Sequence, residues 1–146
     1  MAYGPHTLLN ALIRRSIDLR GLYRHAALQA QEPGLRVVLD ENASALDLLI
    51  ADLQSQVRQA GGTAATRGRL GGSARRQLLE WLLPAVPNRD QGWIARLAHS
   101  ELALLHAFEH GIQQAPADVA LALRRQMPRL QGIHLDMHSL ARAPRC

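Results

Sequence analysis

The stretch "GGTAATRGRLGGS", Gly61 to Ser73, determines how the helical segments on either side of it can be joined. It is rich in glycine, lacks apolar periodicity and is the longest loop signal in the chain. A short helical run, "ARRQLLEWLL", follows it and ends at Pro84. Together these segments form a connection, residues 61–89, that is longer than the links between adjacent antiparallel helices.

Four long runs with apolar residues at helical spacing surround this connection, two before it and two after it. Thr7 precedes the first run as an N-cap, Pro33 interrupts the chain before the second, and Pro116 opens the fourth. The runs predict helices at about residues 8–31, 35–60, 91–114 and 117–141. Pro128 lies inside the last run, where it predicts a kink.

The lengths of the links predict the topology. The first and third links are short, which favours antiparallel neighbours, whereas the middle link is long and contains its own short helix. This pattern predicts an all-α fold, an antiparallel four-helix bundle of the ferritin-like kind with one long crossover. A length of 146 residues suits one domain over residues 1–146, with the crossover at 61–89 and a tail at 142–146.

The composition agrees with helices and argues against several classes of protein. Apolar residues make up 47% of the chain but aromatic residues only 3%, so the core is expected to be mainly Leu, Ala, Val and Ile. Cys146 is the only cysteine, which leaves no disulfide framework within one chain. We find no secretory signal and no run long enough to span a membrane. A cytoplasmic protein without membrane contact is therefore expected.

The charge is strongly basic and comes entirely from arginine. The net charge is +5, with 17 arginines and no lysine. Because most arginines are scattered, the codon bias of a GC-rich genome explains them better than selection for phosphate binding. The densest group is Arg67, Arg69, Arg75 and Arg76. Since no recognition-helix signature for DNA accompanies it, nucleic-acid binding is the least favoured hypothesis.

Several stretches together resemble a bacterial family of ferritin-like four-helix-bundle proteins known only as a domain of unknown function. They are "LLNALIRRSIDLRGLYRHAA", "ADLQSQVRQAGG", "HSELALLHAFEHGI" and "RLQGIHLDMHSLAR". The resemblance implies the fold and a kinship with di-metal carboxylate proteins, but no activity. The first helix departs from the family's usual acidic character, because Arg14, Arg15, Arg20 and Gly21 surround Asp18.

Helical periodicity predicts a few polar side chains inside the bundle. On the third helix, Glu101 falls in the middle of the apolar stripe, where a carboxylate is costly unless it is paired, hydrogen-bonded or bound to a metal. On the fourth helix, "LQGIHLDMH" places Gln131 and His134 three residues apart on the predicted inner stripe. His138 falls at the edge of that stripe. Three more histidines, His99, His106 and His110, lie on the opposite side of the third helix, as expected of a solvated face.

These residues raise the question of a metal site. A ferritin-like di-iron centre uses four carboxylates and two histidines. The candidate ligands here are Glu101, His134, Gln131 and Asp18, and the other inward polar residues, Ser16 and Asn42, are neutral. Neutral amides are poor ligands for a transition metal. The ligand count therefore favours a buried polar network without a cofactor over a reduced iron or manganese site.

Three functional hypotheses follow. The favoured one is a non-enzymatic ferritin-like bundle with a vestigial polar site, acting in a stress response or as an assembly partner. The second is a metal-dependent oxidase or storage protein that binds iron or manganese through Glu101 and His134. The third is a weak nucleic-acid binder that uses the Arg67–Arg76 region. A homodimer is expected in each case, because the short run in the crossover crowds the apolar residues Leu78, Leu79, Trp81, Leu82 and Leu83.

Overall fold

The structure is a computed structural model, and it describes residues 5–69 and 89–142. Within these ranges the chain is helical and contains no strand, which confirms the all-α prediction. The helices are α1 (Pro5–Gln29), α2 (Pro33–Gln59), α3 (Arg89–Gln114), α4 (Ala117–Arg124) and α5 (Met127–Arg142). The short helix predicted in the crossover lies outside the described residues.

Local chemistry sets both ends of α2. The Glu32 carboxylate accepts hydrogen bonds from the backbone N–H groups of Gly34 (2.9 Å) and Leu35 (2.8 Å), and Pro33 occupies the first turn. At the other end Gly61 has φ +85°, a left-handed conformation that glycine adopts without strain. The N–H of Gly62 then reaches back to the Val57 carbonyl at 2.9 Å. The predicted glycine end of the second helix is therefore confirmed.

Each helix packs against two antiparallel neighbours. Helix α1 contacts α2 and α3, and α5 contacts the same two helices from the other side. The α1–α2 pair is antiparallel because its ion pair joins Arg20 to Asp47, whereas Asn10 lies beside Ala65, just past the end of α2. The α2–α5 pair is antiparallel because Asp52 bonds Arg129 while Asn42 contacts Met137. The α1–α3 pair is antiparallel because Asp90, at the start of α3, bonds Gln31 just past the end of α1. Helices α2 and α3 therefore lie diagonally and run in the same direction.

The connection between α2 and α3 therefore joins opposite ends of the bundle. Just past α2, the backbone at Thr63 and Ala65 bonds Asn10, near the start of α1. At the start of α3, the Asp90 carboxylate accepts hydrogen bonds from the N–H groups of Gln31 (2.8 Å) and Glu32 (3.0 Å), just past the end of α1.

The predicted fourth helix is two helices rather than one kinked helix. Pro128 has no N–H to donate to the Arg124 carbonyl, so the regular hydrogen-bond ladder cannot continue through it. The chain instead makes a tighter turn in which the Gln126 N–H bonds the Leu123 carbonyl at 3.0 Å, and α5 begins at Met127. The single helix at residues 117–141 is thus a wrong prediction, although Pro128 lies at the interruption.

The core is built mainly from aliphatic side chains, as the composition predicts. Tyr23 and Phe108 are the largest fully buried side chains, and leucines from the helices surround them. Four polar or charged side chains are also buried in the described residues: Ser16, Asn42, Glu101 and Gln126. No helix in residues 5–69 and 89–142 has the length and apolar character needed to cross a membrane.

A buried carboxylate–histidine pair as the candidate functional site

Glu101 projects into the core because of its register on α3. Leu97, Leu104, Leu105 and Phe108, which lie three to seven residues away, are all buried on the same side of the helix. Glu101 falls between them, and only 1% of its side chain is exposed. The prediction that Glu101 faces the interior is confirmed.

His134 on α5 is the partner of this carboxylate. Its Nδ1 atom lies 2.9 Å from Oε2 and 3.1 Å from Oε1 of Glu101. The His134 side chain remains 34% exposed, so it extends from the edge of the core toward solvent. His138 is exposed, and its ring stacks on that of His134 with centroids 6.0 Å apart. The pair thus reaches from a buried carboxyl group, that of Glu101, to a partly exposed imidazole, that of His134.

The electrostatics of Glu101 reflect two opposing effects. Burial raises the pKa of the carboxyl group above its usual value, because the charged form loses its hydration. The hydrogen bond from His134, its charge and the more distant charge of His106 act in the opposite direction. When Glu101 is ionised, Nδ1 of His134 must carry the proton and donate it, since a carboxylate can only accept. Burial is the larger effect, so the pKa of Glu101 stays raised.

Two more helices supply polar side chains at the same level of the bundle. Tyr23 of α1 is fully buried, and its pKa is raised well above the usual value by burial and by the charge of Glu101. Asn42 of α2 is buried and donates from Nδ2 to the sulfur of Met137 at 3.7 Å. The sequence predicts Asn42 to be inward, but it gives no sign that Tyr23 lies close enough to Glu101 for the charge of Glu101 to affect the pKa of Tyr23.

Gln131 does not join this site, which corrects the sequence-based prediction. Its side chain is exposed. The buried residues of α5 are Leu130, Ile133 and Met137, and at about 100° per residue Gln131 points about 100° away from Leu130. Gln131 lies three residues before His134, a spacing that can place both on one face of a helix. The buried face of α5, however, is centred on Leu130, Ile133 and Met137, and Gln131 lies farther from that face than His134 does.

Asp18 has a different structural role. Its Oδ2 atom accepts a hydrogen bond from the backbone N–H of Arg69 at 3.1 Å and lies 3.6 Å from Nε of that residue. Asp18 therefore fastens the segment after α2 to α1, and the structure does not bring it together with Glu101 and His134. Ser16 is buried as predicted, but its hydroxyl donates to the Leu12 carbonyl of its own helix at 2.7 Å.

The assembled side chains do not fit a di-metal carboxylate centre. Such a centre needs four carboxylates and two histidines, and this level of the bundle supplies Glu101 and His134. Among the described residues, no group of three or more His, Cys, Asp or Glu side chains is placed to hold a metal ion. The surrounding groups, Tyr23, Asn42 and Met137, carry no charge that would balance a divalent cation. His99, His106 and His110 are exposed, as the sequence predicts.

The first three helices carry the signature that classifies the chain. Residues 6–114 match the family described as "Domain of unknown function (DUF2383)". The chain belongs to this family. The DUF2383 match includes Asp18, Asn42 and Glu101 and ends before α4 and α5, so Glu101 lies within it and His134 lies beyond it. No curated protein matches the chain.

Proposed function

We propose that this DUF2383 protein is a non-enzymatic helical bundle of the ferritin-like kind, in which Glu101 and His134 form a structural pair rather than a cofactor site. The observation that carries the proposal is the direct contact of 2.9 Å between the Glu101 carboxylate and Nδ1 of His134. A carboxylate whose oxygens are both engaged by a histidine already has a partner for its charge. Its burial therefore does not require a metal ion.

The topology supports the ferritin-like kinship. Helices α1 and α2 are antiparallel neighbours, α3 and α5 are antiparallel neighbours, and one connection joins the opposite ends of α2 and α3. This arrangement is typical of ferritin-like bundles with one long crossover. A stress-related role or an assembly role would suit a non-enzymatic bundle, and both rest on the sequence alone.

Metal analysis tests the proposal. The protein would be produced without an affinity tag in bacteria supplied with iron and manganese, and its metal content compared with that of Glu101→Gln, which keeps the shape of the side chain. We expect wild type and Glu101→Gln to carry equally little metal. About one iron or manganese per chain in wild type, lost in both Glu101→Gln and His134→Leu, would replace this proposal with the metalloprotein hypothesis.

A cytoplasmic location and a homodimer complete the proposal, and both rest on the sequence. The apolar residues that motivate the dimer, Leu78 to Leu83, lie outside the described residues. Sedimentation equilibrium at high protein concentration is the direct measurement. We expect the mass of two chains, and a mass of one chain at every concentration would contradict the dimer.

A further inference from the structure

Two basic segments that are far apart in the sequence meet on one surface. The segment 61–69 is held against α1 by the Asn10 side chain, which donates to the Thr63 carbonyl (2.9 Å) and accepts from the Ala65 N–H (2.8 Å). Gln54 donates to the Ala65 carbonyl at 2.9 Å, and Asp18 accepts from the Arg69 N–H at 3.1 Å. This segment is therefore fixed in place rather than free, despite its glycine content.

Fixing this segment brings its arginines next to those of α1 in two clefts. The first cleft has a volume of about 420 Å³, and Arg14 and Arg67 line it together with the hydroxyl-bearing Thr63 and Thr66. The second has a volume of about 190 Å³ and is lined by Arg15, Asp18 and Arg69, with His99 and Ser100 of α3 on its other side. We call the four residues Arg14, Arg15, Arg67 and Arg69 the basic surface.

The basic surface has an excess of positive charge. Among the described residues, Asp18 is the one carboxylate that lines the two clefts, and it pairs with Arg69. Within the described part of the chain, Arg14, Arg15 and Arg67 form no ion pair. Arg20 and Arg24 of the same helix, in contrast, both pair with Asp47. The basic surface therefore keeps charge available for an external anion.

The pKa of Arg15 is a second indication that positive charge exceeds negative charge at the basic surface. Its side chain is only partly exposed, and burial together with the nearby charge of Arg69 lowers its pKa below the usual value. Two guanidinium groups held close together with too little negative charge repel each other. A bound anion would relieve that repulsion, and guanidinium groups with neighbouring hydroxyls suit the oxygen atoms of a phosphate.

We propose that the basic surface binds the phosphodiester backbone of nucleic acid without sequence preference. Two adjacent clefts with separate arginine pairs suit a polymer of phosphates. Among the described residues, no Phe, Tyr or Trp side chain lines either cleft, so contacts to the phosphates outnumber any stacking on bases. A membrane surface fits less well, because none of the exposed large hydrophobic side chains of the described residues lines either cleft.

The experiment measures binding to a fluorescently labelled mixed-sequence DNA duplex by anisotropy at several salt concentrations. Each neutralised phosphate contributes about −0.9 to the slope of log affinity against log salt. We expect a slope of about −2 to −4 for wild type over about 50 to 200 mM salt. Arg14→Gln/Arg67→Gln should weaken binding to different sequences equally and reduce the size of the slope by about 2.

The matched control is Arg124→Gln/Arg142→Gln, which removes the same charge from α4 and α5, away from the basic surface. We expect it to keep the slope of wild type. The proposal is overturned if DNA does not bind at about 50 mM salt, or if both double variants lose the same amount of slope. It is also overturned if vesicles containing phosphatidylserine bind more tightly than DNA and lose that binding in Arg14→Gln/Arg67→Gln.

Discussion

Glu101 is a carboxyl group buried among apolar side chains, and in the described residues its side chain hydrogen-bonds His134. Replacing His134 by Leu leaves this carboxylate buried without its partner, which costs about 3 kcal/mol at neutral pH. In the double variant His134→Leu/Glu101→Gln the charge is gone as well, so we expect a free energy of unfolding within about 1 kcal/mol of wild type. Urea unfolding of the single and double variants measures the difference. Equal losses in both would show that the unpaired Glu101 carboxylate is not what destabilises His134→Leu, which contradicts the pair.

The raised pKa of Glu101 gives the stability a definite pH dependence. Because the folded state binds a proton at Glu101 more readily than the unfolded state does, the stabilising contribution is present below the ordinary glutamate pKa of 4.5 and is lost as the pH rises through the raised pKa. We therefore expect Glu101→Gln to gain stability relative to wild type as the pH rises from about 4 to 7. Unfolding curves at several pH values test this. A difference that does not change with pH, or that changes in the other direction, contradicts the assignment.

Helical periodicity was sufficient to place Glu101, Asn42 and Ser16 inside, because each lies near the centre of a well-marked apolar stripe. It failed for Gln131, which lies beside a stripe whose centre is set by Leu130, Ile133 and Met137. At about 100° per residue, a stripe whose centre is placed one residue too far along the helix is misdirected by about 100°. That error is enough to move a side chain from the core to solvent.

At the scale of elements, the segment after α2 is held to α1 through a close contact between Gly68 and Asp18. A Cβ atom at position 68 would collide with Oδ1 of Asp18. We expect Gly68→Ala to displace the carboxylate or the segment, to lower the free energy of unfolding by about 1–3 kcal/mol, and to speed cleavage by trypsin after Arg67 and Arg69. Chemical unfolding and limited proteolysis measure the two effects.

The chain offers a matched control for this substitution. Gly132 lies in α5 with nothing within 4 Å of an added Cβ. Because alanine favours a helix over glycine, Gly132→Ala should raise the free energy of unfolding by about 0.5–1 kcal/mol. If Gly68→Ala raises the free energy of unfolding as Gly132→Ala does, then Asp18 does not hold residues 61–69 against α1.

The sequence identified the ends of α2 well, because Pro33 and Gly61 act within one turn of the helix. It did not indicate that residues 61–69 are fixed, since the contacts that fix them come from Asn10 and Asp18, more than 50 residues away. The sequence singled out Arg67 and Arg69 as part of a basic group, but for the same reason it did not indicate that Arg14 and Arg15 lie beside them. Arginines that are scattered along a chain are indistinguishable from codon bias until the fold brings some of them together.

At the scale of the whole molecule, the lengths of the links predict which helices are antiparallel neighbours and where the chain crosses over. The structure agrees, because neighbouring helices are antiparallel and the connection between α2 and α3 joins opposite ends of the bundle. The sequence predicts one kinked helix after α3, whereas the structure has two helices, α4 and α5. Proline removes a hydrogen bond in either case, so its presence in the sequence does not distinguish a kink from a break.

Thermal unfolding with added Mn²⁺ tests most directly whether Glu101 and His134 form a structural pair rather than a metal site. A ligand that binds only the folded state stabilises it by about 2.7 kcal/mol at a concentration 100 times its dissociation constant, which would raise the melting temperature by several degrees. For a structural pair we expect no difference between wild type and Glu101→Gln in the response of the melting temperature to Mn²⁺. A rise of several degrees in wild type that disappears in Glu101→Gln would contradict the structural pair.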